Sequence, residues 1–406
     1  MPVAGGGGSQ GSSYASQIGL DRLVRKEVSL GTIREIPVPE EHIGLRLIAP
    51  FLSVESDDVI FDYLKNDAQE GMAPARAEDA EAELAQSDIL SYGQGRAAVI
   101  DWSLAHRTIP SDVTRYRDNL LIQQATAGLG TSLNLNDPGR MVEQFNRKIA
   151  REEAHRMRRL QNRIEWMIVT QSLDTGGIAY NDSKIKFAVD FGRPSNQQNQ
   201  DVKSDSRFRS SMYYDEGVDF DPIGDFIALN DWMFDTHGVR LHRALTSPKV
   251  LNSFWLSNRF IAMAGIVVGG TPSSPIDLNY VTSGWNQEAA LRKVKEVTGI
   301  DFIPYESVYR TRPIGSQTVT NTRFFPEGKI LFLPSEGDLG EIDDTELGFA
   351  KTLTSPHPEG NWGSGYYEWE QQEVNPWMHV RGTGIKAFPV FPYMKYTFSL
   401  QVFDPS

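Results

Sequence analysis

An α+β fold is predicted for this chain of 406 residues on three observations. Residues Asp137 to Ser172 read as a single helix of about 33 residues, roughly 50 Å long. Strict alternation of apolar and polar residues marks strands near 184–191 and 394–402. Between them, about 212–375, shorter helical and strand patterns alternate as in a compact α/β unit. Composition agrees: 40% hydrophobic and 23% charged residues belong to a folded chain, long enough to bury a sizeable core.

The long helix has its own local logic. Asp137 suits the N-cap and Pro138 the first helical position. Met141, Phe145, Ile149, Met157, Leu160, Ile164 and Met167/Ile168 recur every three to four residues, giving one apolar stripe. Around it lie Arg147, Lys148, Arg151, Arg156, Arg158, Arg159 and Arg163. Glu143 and Glu152 stand four residues before Arg147 and Arg156, the spacing of ion pairs on a helix, with Glu153 beside them. A rod with one sticky stripe fits an extended, assembling subunit better than the wall of an active site.

The remaining elements follow in order. Residues 1–16 are rich in Gly and Ser and are expected to order only against a partner. Residues 28–54 interleave Ile33, Ile36, Val38, Ile43, Leu45, Leu47 and Ile48 with Pro37, Pro39 and Pro50, and read as an extended arm lying on another surface. Residues 55–108 have strand-like ends at Val59–Phe61 and Ala97–Trp102. They enclose a polar middle bearing Asp67, Glu70, Glu78, Asp79, Glu81, Glu83 and Asp88, as in a long projecting hairpin. A helix is expected from Ser111, with Val113, Tyr116 and Leu120 on one side. The alternation at Ile185, Phe187, Val189 and Phe191 marks a half-buried strand, and 193–211 reads as a loop.

In the α/β section Asp221-Pro222 opens a helix with Ile223, Phe226, Ile227 and Phe234 inward, closed by Gly238. A strand over Val239–Leu245 leads to Ser247-Pro248, which caps a helix carrying Phe254 and Trp255. A further helix covers Asn286–Thr298. Strands are expected at Phe302–Val308 and Lys329–Leu333, with a Thr/Arg-rich loop between them and another loop at 354–375.

The chain holds no cysteine, so disulfides and thiolate metal sites are excluded, and the expected setting is a reducing cytosol. The N-terminus lacks the basic and apolar regions of a signal peptide, and no apolar run reaches the ~20 residues of a membrane span. A net charge of −13 argues against a general nucleic-acid trap. Gly7–Gly11 fits the Gly-x-Ser-x-Gly pattern but lacks the strand-to-helix elbow that an active serine needs. Gly93-x-Gly95 lacks the third glycine of a dinucleotide loop and reads as turn chemistry. The seven histidines, His42, His106, His155, His237, His242, His357 and His379, show no metal-ligand spacing. Asp215, Asp219, Asp221 and Asp225 miss the calcium-loop pattern. No catalytic, cofactor or metal constellation is expected. Arg147, Arg151, Arg156, Arg159 and Arg163 are the candidate intersubunit or ion-pair residues. They alternate with glutamates and lack interleaved aromatic platforms, which favours ion pairing over a grip on phosphates.

The order of elements, together with Asp221-Pro222, Gly238, Pro248 and Trp255 in succession, resembles the major capsid proteins of tailed bacteriophages, the HK-ninety-seven-type fold. It is most similar to the phage lambda type, the family of major capsid protein E. Phe325-Pro326-Glu327-Gly328 before a strand, Leu347-Gly348-Phe349, and the ending from Asn375-Pro376-Trp377 to Phe403 carry the same resemblance. It implies an N-terminal arm (1–54), an extended loop reaching over a neighbour (55–108), a peripheral domain (109–205 with 376–406) whose spine helix covers about 138–172, and an axial domain (206–375).

The implied function is a non-enzymatic shell subunit of the virion, assembled in the host cytoplasm as hexamers and pentamers around double-stranded DNA that it touches only non-specifically. A separate scaffolding protein, a portal and possible decoration proteins are the implied partners, with no membrane and no cofactor. An encapsulin-like compartment of the same fold is the nearest alternative, and an α/β enzyme centred on 212–350 a more distant one. The Ala/Glu-rich tip of the extended loop departs from the family, so its contacts cannot be carried over.

Overall fold

A computed structural model describes residues 37–64, 92–108, 138–181, 186–263, 287–312, 318–335, 347–360, 363–374 and 377–405, with the single positions 111 and 339. The tail 1–36, with its Gly-x-Ser-x-Gly match, the acidic middle of the hairpin, the N-cap Asp137 and all but the first residue of the helix expected from Ser111 lie outside the described residues.

One five-stranded sheet divides the interior. Its order is β7 (Gln200–Asp201), β16 (Phe398–Gln401), β12 (Lys329–Pro334), β8 (Leu241–Thr246) and β9 (Asp301–Pro304). Alternation sends successive residues of β12 to opposite faces. Ile330 and Phe332 join a core with the helices α2 (Pro222–His237), α3 (Pro248–Phe254), α4 (Asn258–Met263) and α5 (Gln287–Thr298); Leu331 and Leu333 join a second core. The first is dominated by aromatic rings and is termed the aromatic core. The second holds the long helix α1 (Pro138–Trp166) and is termed the spine core.

Helix ends around the aromatic core follow the expected chemistry. Asp221 accepts from the Gly224 N–H at 3.0 Å, and the Ser247 hydroxyl from the Val250 N–H at 3.3 Å, each just ahead of a proline. Gly238, at φ 71°, closes α2 in the left-handed conformation that only glycine adopts without strain. The inward face of α2 differs at one residue. Phe234 is 46% exposed, and Met233 occupies the buried position instead.

The spine core is covered by a second sheet. Its central strand β15 (Trp377–Val390) pairs antiparallel with β14 (Tyr366–Val374), β13 (Lys351–Thr354) and β4 (Ile100–Thr108), while β1 (Phe51–Ser53) runs parallel to β13. The expected loop at 354–375 is therefore wrong over β14. Gly382 and Gly384 explain why β15 is hard to read as a strand. They pair with Trp369 and Tyr367, and a Cβ at either glycine would lie within 2.3 Å of the opposing ring. The glycines clear space for aromatic rings laid across the ladder.

Three further expectations change. Residues 44–48 of the arm form a π-helical turn on α1, not an extended strand, because Leu45 and Ile48 can then both face the spine core. The expected strand 302–308 breaks into β9 and β10 (Val308–Thr311), and β11 (Thr320–Arg323) pairs with β10 inside the Thr/Arg-rich stretch. Met394–Tyr396 form a 3-10 turn facing the spine core, so the final alternation is a strand only over β16.

The hairpin stems do form: β2 (Asp58–Leu64) pairs with β3 (Tyr92–Ala98) from Asp58↔Ala98 to Leu64↔Tyr92. Gly93 and Gly95 lie within β3, not in a turn. β5 (Gly177–Asn181) and β6 (Lys186–Asp190) form a second antiparallel pair, with Phe187 and Val189 against the spine core as the alternation predicted.

Candidate functional site

The long helix organises the chemistry of the chain. After Trp166 it widens into a π-helical stretch, Met167–Leu173, and ends at Gly176 with φ 79°. Its last carbonyls are met by a buried cation: the Arg193 guanidinium donates to Leu173 O at 2.8 Å, Asp174 O at 3.3 Å and Thr397 Oγ1 at 2.8 Å. Burial pushes the Arg193 pKa down to about 10, with Asp174 opposing. A cation is favoured there by the unpaired carbonyls and the negative end of the helix dipole.

Met157, Leu160, Ile164, Met167 and Ile168 of the apolar stripe are buried. Polar residues share that face: Glu153, Arg156, Gln161 and Glu165 are buried as well. The five candidate arginines therefore separate. Arg147, Arg151 and Arg159 are exposed, Arg163 is half-buried, and Arg156 is only 7% exposed.

Arg156 enters a buried ionic network between α1 and β15. His379, Arg381 and Thr383 alternate along β15 and all face the helix. Arg381 Nη1 donates to Glu153 Oε1 at 2.9 Å, and Arg156 Nη2 lies 3.9 Å from the same oxygen. Arg156 Nε reaches Thr383 Oγ1 at 3.3 Å, and Glu370 on β14 contacts His379 Nε2 at 2.6 Å and Arg381 Nη2 at 3.7 Å. Burial is the main influence on Arg156 and lowers its pKa, against Glu153, Glu368 and Glu152. The ion pair Arg156 makes is to Glu153, three residues earlier, while Glu152 lies 3.3 Å from His106 on β4.

Nine residues beyond Arg156, about two and a half turns along the helix, Glu165 fixes the arm. Its carboxylate accepts from the Gly44 N–H at 2.9 Å, the Leu45 N–H at 2.8 Å and the Tyr305 hydroxyl at 2.7 Å. The arm, the spine and the β9–β10 connection thus meet on one carboxyl group. Burial drives its pKa up to about 7, against the three hydrogen bonds. Gly44 is required by contact: a Cβ would lie 2.8 Å from Val169 Cγ2 and 2.9 Å from Glu165 Oε2. His42, just before, is buried edge-on to Phe324, and burial lowers its pKa to about 4.

The solvent side of the helix carries a concavity of about 600 Å³. Arg159, Asn162, Arg163 and Trp166 line it from α1, Tyr309, Arg310 and Thr311 from β10, and Arg312 from just after β10. Arg163 sits over three rings, 5.4 Å from Trp102, 5.2 Å from Trp166 and 5.4 Å from Tyr180. Trp166 stands three residues after Arg163 on the helix, and the fold adds Trp102 and Tyr180, which are distant in sequence. Sequence reasoning missed Glu165, Arg381 and Arg310. A glutamate eight residues after Met157, on the stripe itself, was the readable signal for the first.

Among the described residues no group of three or more His, Asp or Glu could hold a metal ion, and no helix is long and apolar enough to cross a membrane. Asp225 is buried and accepts from the Arg209 and Ser210 N–H groups and the Tyr214 hydroxyl, fixing the approach to α2. His237 reaches Gln197 at 2.8 Å. These polar groups hold segments far apart in sequence against one another.

No protein-family model and no curated protein matches the sequence. Solved structures resemble the chain course at low identity. A provisionally assigned capsid protein of an Escherichia coli CFT073 prophage is 12% identical, with 97% of this chain and 98% of that one aligned at a TM-score of 0.47. A phage-related protein from Bordetella bronchiseptica is 12% identical over 94% of this chain and 97% of that one, at 0.42. An encapsulin from Synechococcus elongatus PCC 7942 is also 12% identical, with the same coverage of each chain and a TM-score of 0.37. Agreement of that extent leaves the function to be read from this chain's own residues.

Proposed function

We propose that the chain is a non-enzymatic structural subunit that assembles with copies of itself, as hexamers and pentamers, into the icosahedral head shell of a tailed bacteriophage of the lambda type. The β2–β3 ladder is the observation that carries this reading. Its described side chains, Asp58, Ile60, Arg96 and Ala98, lie on one face of the ladder and are exposed, Ile60 at 63%. An isolated two-stranded ladder is marginal in water, so it calls for a partner surface. A shell subunit supplies one at every contact with its neighbours, and such interfaces recur with symmetry.

In this reading residues 1–54 are the arm, 55–108 the extended loop, 109–205 with 376–406 the peripheral domain, and 206–375 the axial domain. The shared sheet, in which β16 pairs with β12, would make the last two a rigid unit. Arg156 pairs internally, and Arg151, Arg159 and Arg163 are the candidates for contact with a neighbour. A separate scaffolding protein and a portal are its partners in assembly. The acidic balance of −13 keeps contact with packaged double-stranded DNA non-specific and weak.

Electron microscopy of the expressed protein, with and without its neighbouring gene products, tests the proposal. Closed shells are expected in at least one condition. Small discrete particles in every condition would overturn it.

A further inference from the structure

The concavity between α1 and β10 gathers positive charge on an acidic chain. Four arginines line it and no carboxylate does. Among the described residues Arg159, Arg163 and Arg310 make no ion pair and no side-chain hydrogen bond, although acidic residues outnumber basic ones by 53 to 40 in the chain.

The two walls explain the imbalance. Residues 154–164 of the helix carry Arg156, Arg158, Arg159 and Arg163 and no acid. The next acid, Glu165, is buried and accepts from the arm. Residues 308–323 carry Arg310, Arg312 and Arg323 and again no acid. Two arginines of these segments that do not line the concavity do find carboxylates. Arg156 meets Glu153, and Arg323 meets Glu306 and Glu327. Charge of one sign is therefore left unpaired only at the recess, and a recess of that kind focuses the field and concentrates anions.

The walls are also fixed in advance. Arg163 lies over Trp102, Trp166 and Tyr180 at 5.2 to 5.4 Å, held by rings and not by a carboxylate. Tyr309 packs against Phe324 at 4.9 Å. A guanidinium held over rings keeps its N–H groups for an acceptor, and donors positioned beforehand lose little freedom when they bind. The volume of about 600 Å³ is that of a small-ligand site.

The donor set selects the ligand class. A guanidinium fork takes two oxygens of a phosphate at once, and several forks in one recess suit an anion bearing several phosphates. Asn162 and Thr311 add neutral hydrogen-bonding groups. A nucleic-acid duplex fits less well. Its charges recur about every 1.7 Å along an axis that continues past the recess, over a chain of net charge −13.

We propose that the concavity binds a small polyphosphate anion shared by Arg159, Arg163 and Arg310, and that the bound anion ties the β10–β11 pair to the long helix. The site lies within one subunit, so it goes beyond the shell reading and does not depend on it.

Isothermal titration calorimetry of the full chain at about 0.15 M ionic strength tests this with inorganic tripolyphosphate, ATP and adenosine. Saturable binding of tripolyphosphate or ATP is expected, and none of adenosine. Tighter binding of ATP assigns a nucleotide as the source of the phosphates, and tighter binding of tripolyphosphate assigns an inorganic chain. Arg159→Ala with Arg310→Ala should weaken binding about tenfold or more. Arg151→Ala, exposed on the same helix outside the concavity, should leave it unchanged. The bound anion should also slow hydrogen exchange at the amides of β10 and β11.

Circular dichroism verifies that the double variant folds. Arg310→Lys gives a milder check, because it keeps the charge and loses the fork. Its affinity should fall between those of the native chain and the double variant. No saturable binding of either polyphosphate would overturn the proposal. So would an equal loss in Arg151→Ala and the double variant, which would show diffuse attraction and no site. A short DNA duplex that binds more tightly than both polyphosphates and displaces them would make the concavity a nucleic-acid site instead.

Discussion

The two cores share one sheet yet are held together differently. In the aromatic core Phe226 touches the rings of Phe254, Phe302 and Phe332 at centroid distances of 5.5, 5.1 and 5.6 Å, and Tyr214 stacks on Phe220 at 4.6 Å. Its order comes from shape and area. The spine core adds to its aliphatic packing a set of buried polar fasteners: Glu165 to the arm, Glu153 to β15 and Arg193 to the helix end. Apolar packing is tolerant of direction, whereas a carboxylate receiving three aimed donors is not. The spine core must hold the arm at Leu45 and Ile48 and the strand β4 that follows the hairpin in one orientation on the helix, so directional bonds suit it. The aromatic core only has to stay compact.

The largest expected effects separate these two modes. Phe226→Ala should destabilise the subunit by about 3–5 kcal/mol through lost burial and the cavity left behind. Arg381→Met should cost a similar ~3–5 kcal/mol for another reason, because Glu153 stays buried without its closest partner. A double-mutant cycle tells them apart. Glu153→Gln should recover part of the Arg381→Met loss and none of the Phe226→Ala loss in urea unfolding. Equal recovery in both backgrounds would erase the distinction.

Next in size is a dependence on pH confined to the spine core. Glu165 titrates at about 7 in the folded chain against an ordinary 4.5. Between those values the folded state holds the proton and the unfolded state has released it. The contribution is therefore full below pH 4.5 and falls as pH rises through 7, by about 3 kcal/mol. Glu165→Gln should flatten that slope. Hydrogen exchange at the Gly44 and Leu45 amides should report faster arm opening at pH 8 than at pH 5 in the native chain only. An unchanged slope in the variant would show that burial at Glu165 is not the source.

The same contrast explains what could be read from sequence. Helix caps at Asp221 and Ser247, the stop at Gly238 and the stripe Met157–Ile168 depend on neighbours close in sequence, and they were legible. β15 was not, since Gly382 and Gly384 look like strand breakers until Trp369 and Tyr367 are laid over them. The four-arginine concavity was half legible. Arg159 and Arg163 are evident on the helix, but Arg310 and Arg312 join them only through the fold. Non-local polar partners such as Arg381 for Glu153, 228 residues apart, leave no local pattern.

Gly382→Ala turns that last point into a measurement of intermediate size. The new methyl group would collide with the Trp369 ring, costing about 1–3 kcal/mol by overpacking. Trp369→Leu in the same chain should relieve most of the cost, because a smaller side chain vacates the space. If the second substitution brings no relief, the glycine serves backbone conformation and not ring packing.

The smallest expected effect tests whether the solvent-side polar contacts of the spine behave like its buried ones. Arg163 spans Trp102, Trp166 and Tyr180 at 5.2 to 5.4 Å, and it is half-buried, so water competes for its charge. Arg163→Lys keeps the charge but removes the planar group that lies over several rings at once. The expected loss is about 0.5–1 kcal/mol by thermal unfolding, well below that of Arg381→Met. Raising salt should shrink the difference between Arg163→Lys and the native chain little, since both carry the same charge. A loss as large as that of Arg381→Met would place Arg163 among the structural fasteners and take it out of the set available for a neighbouring subunit. A small loss keeps the contrast between an oriented interior and an adaptable surface along one helix.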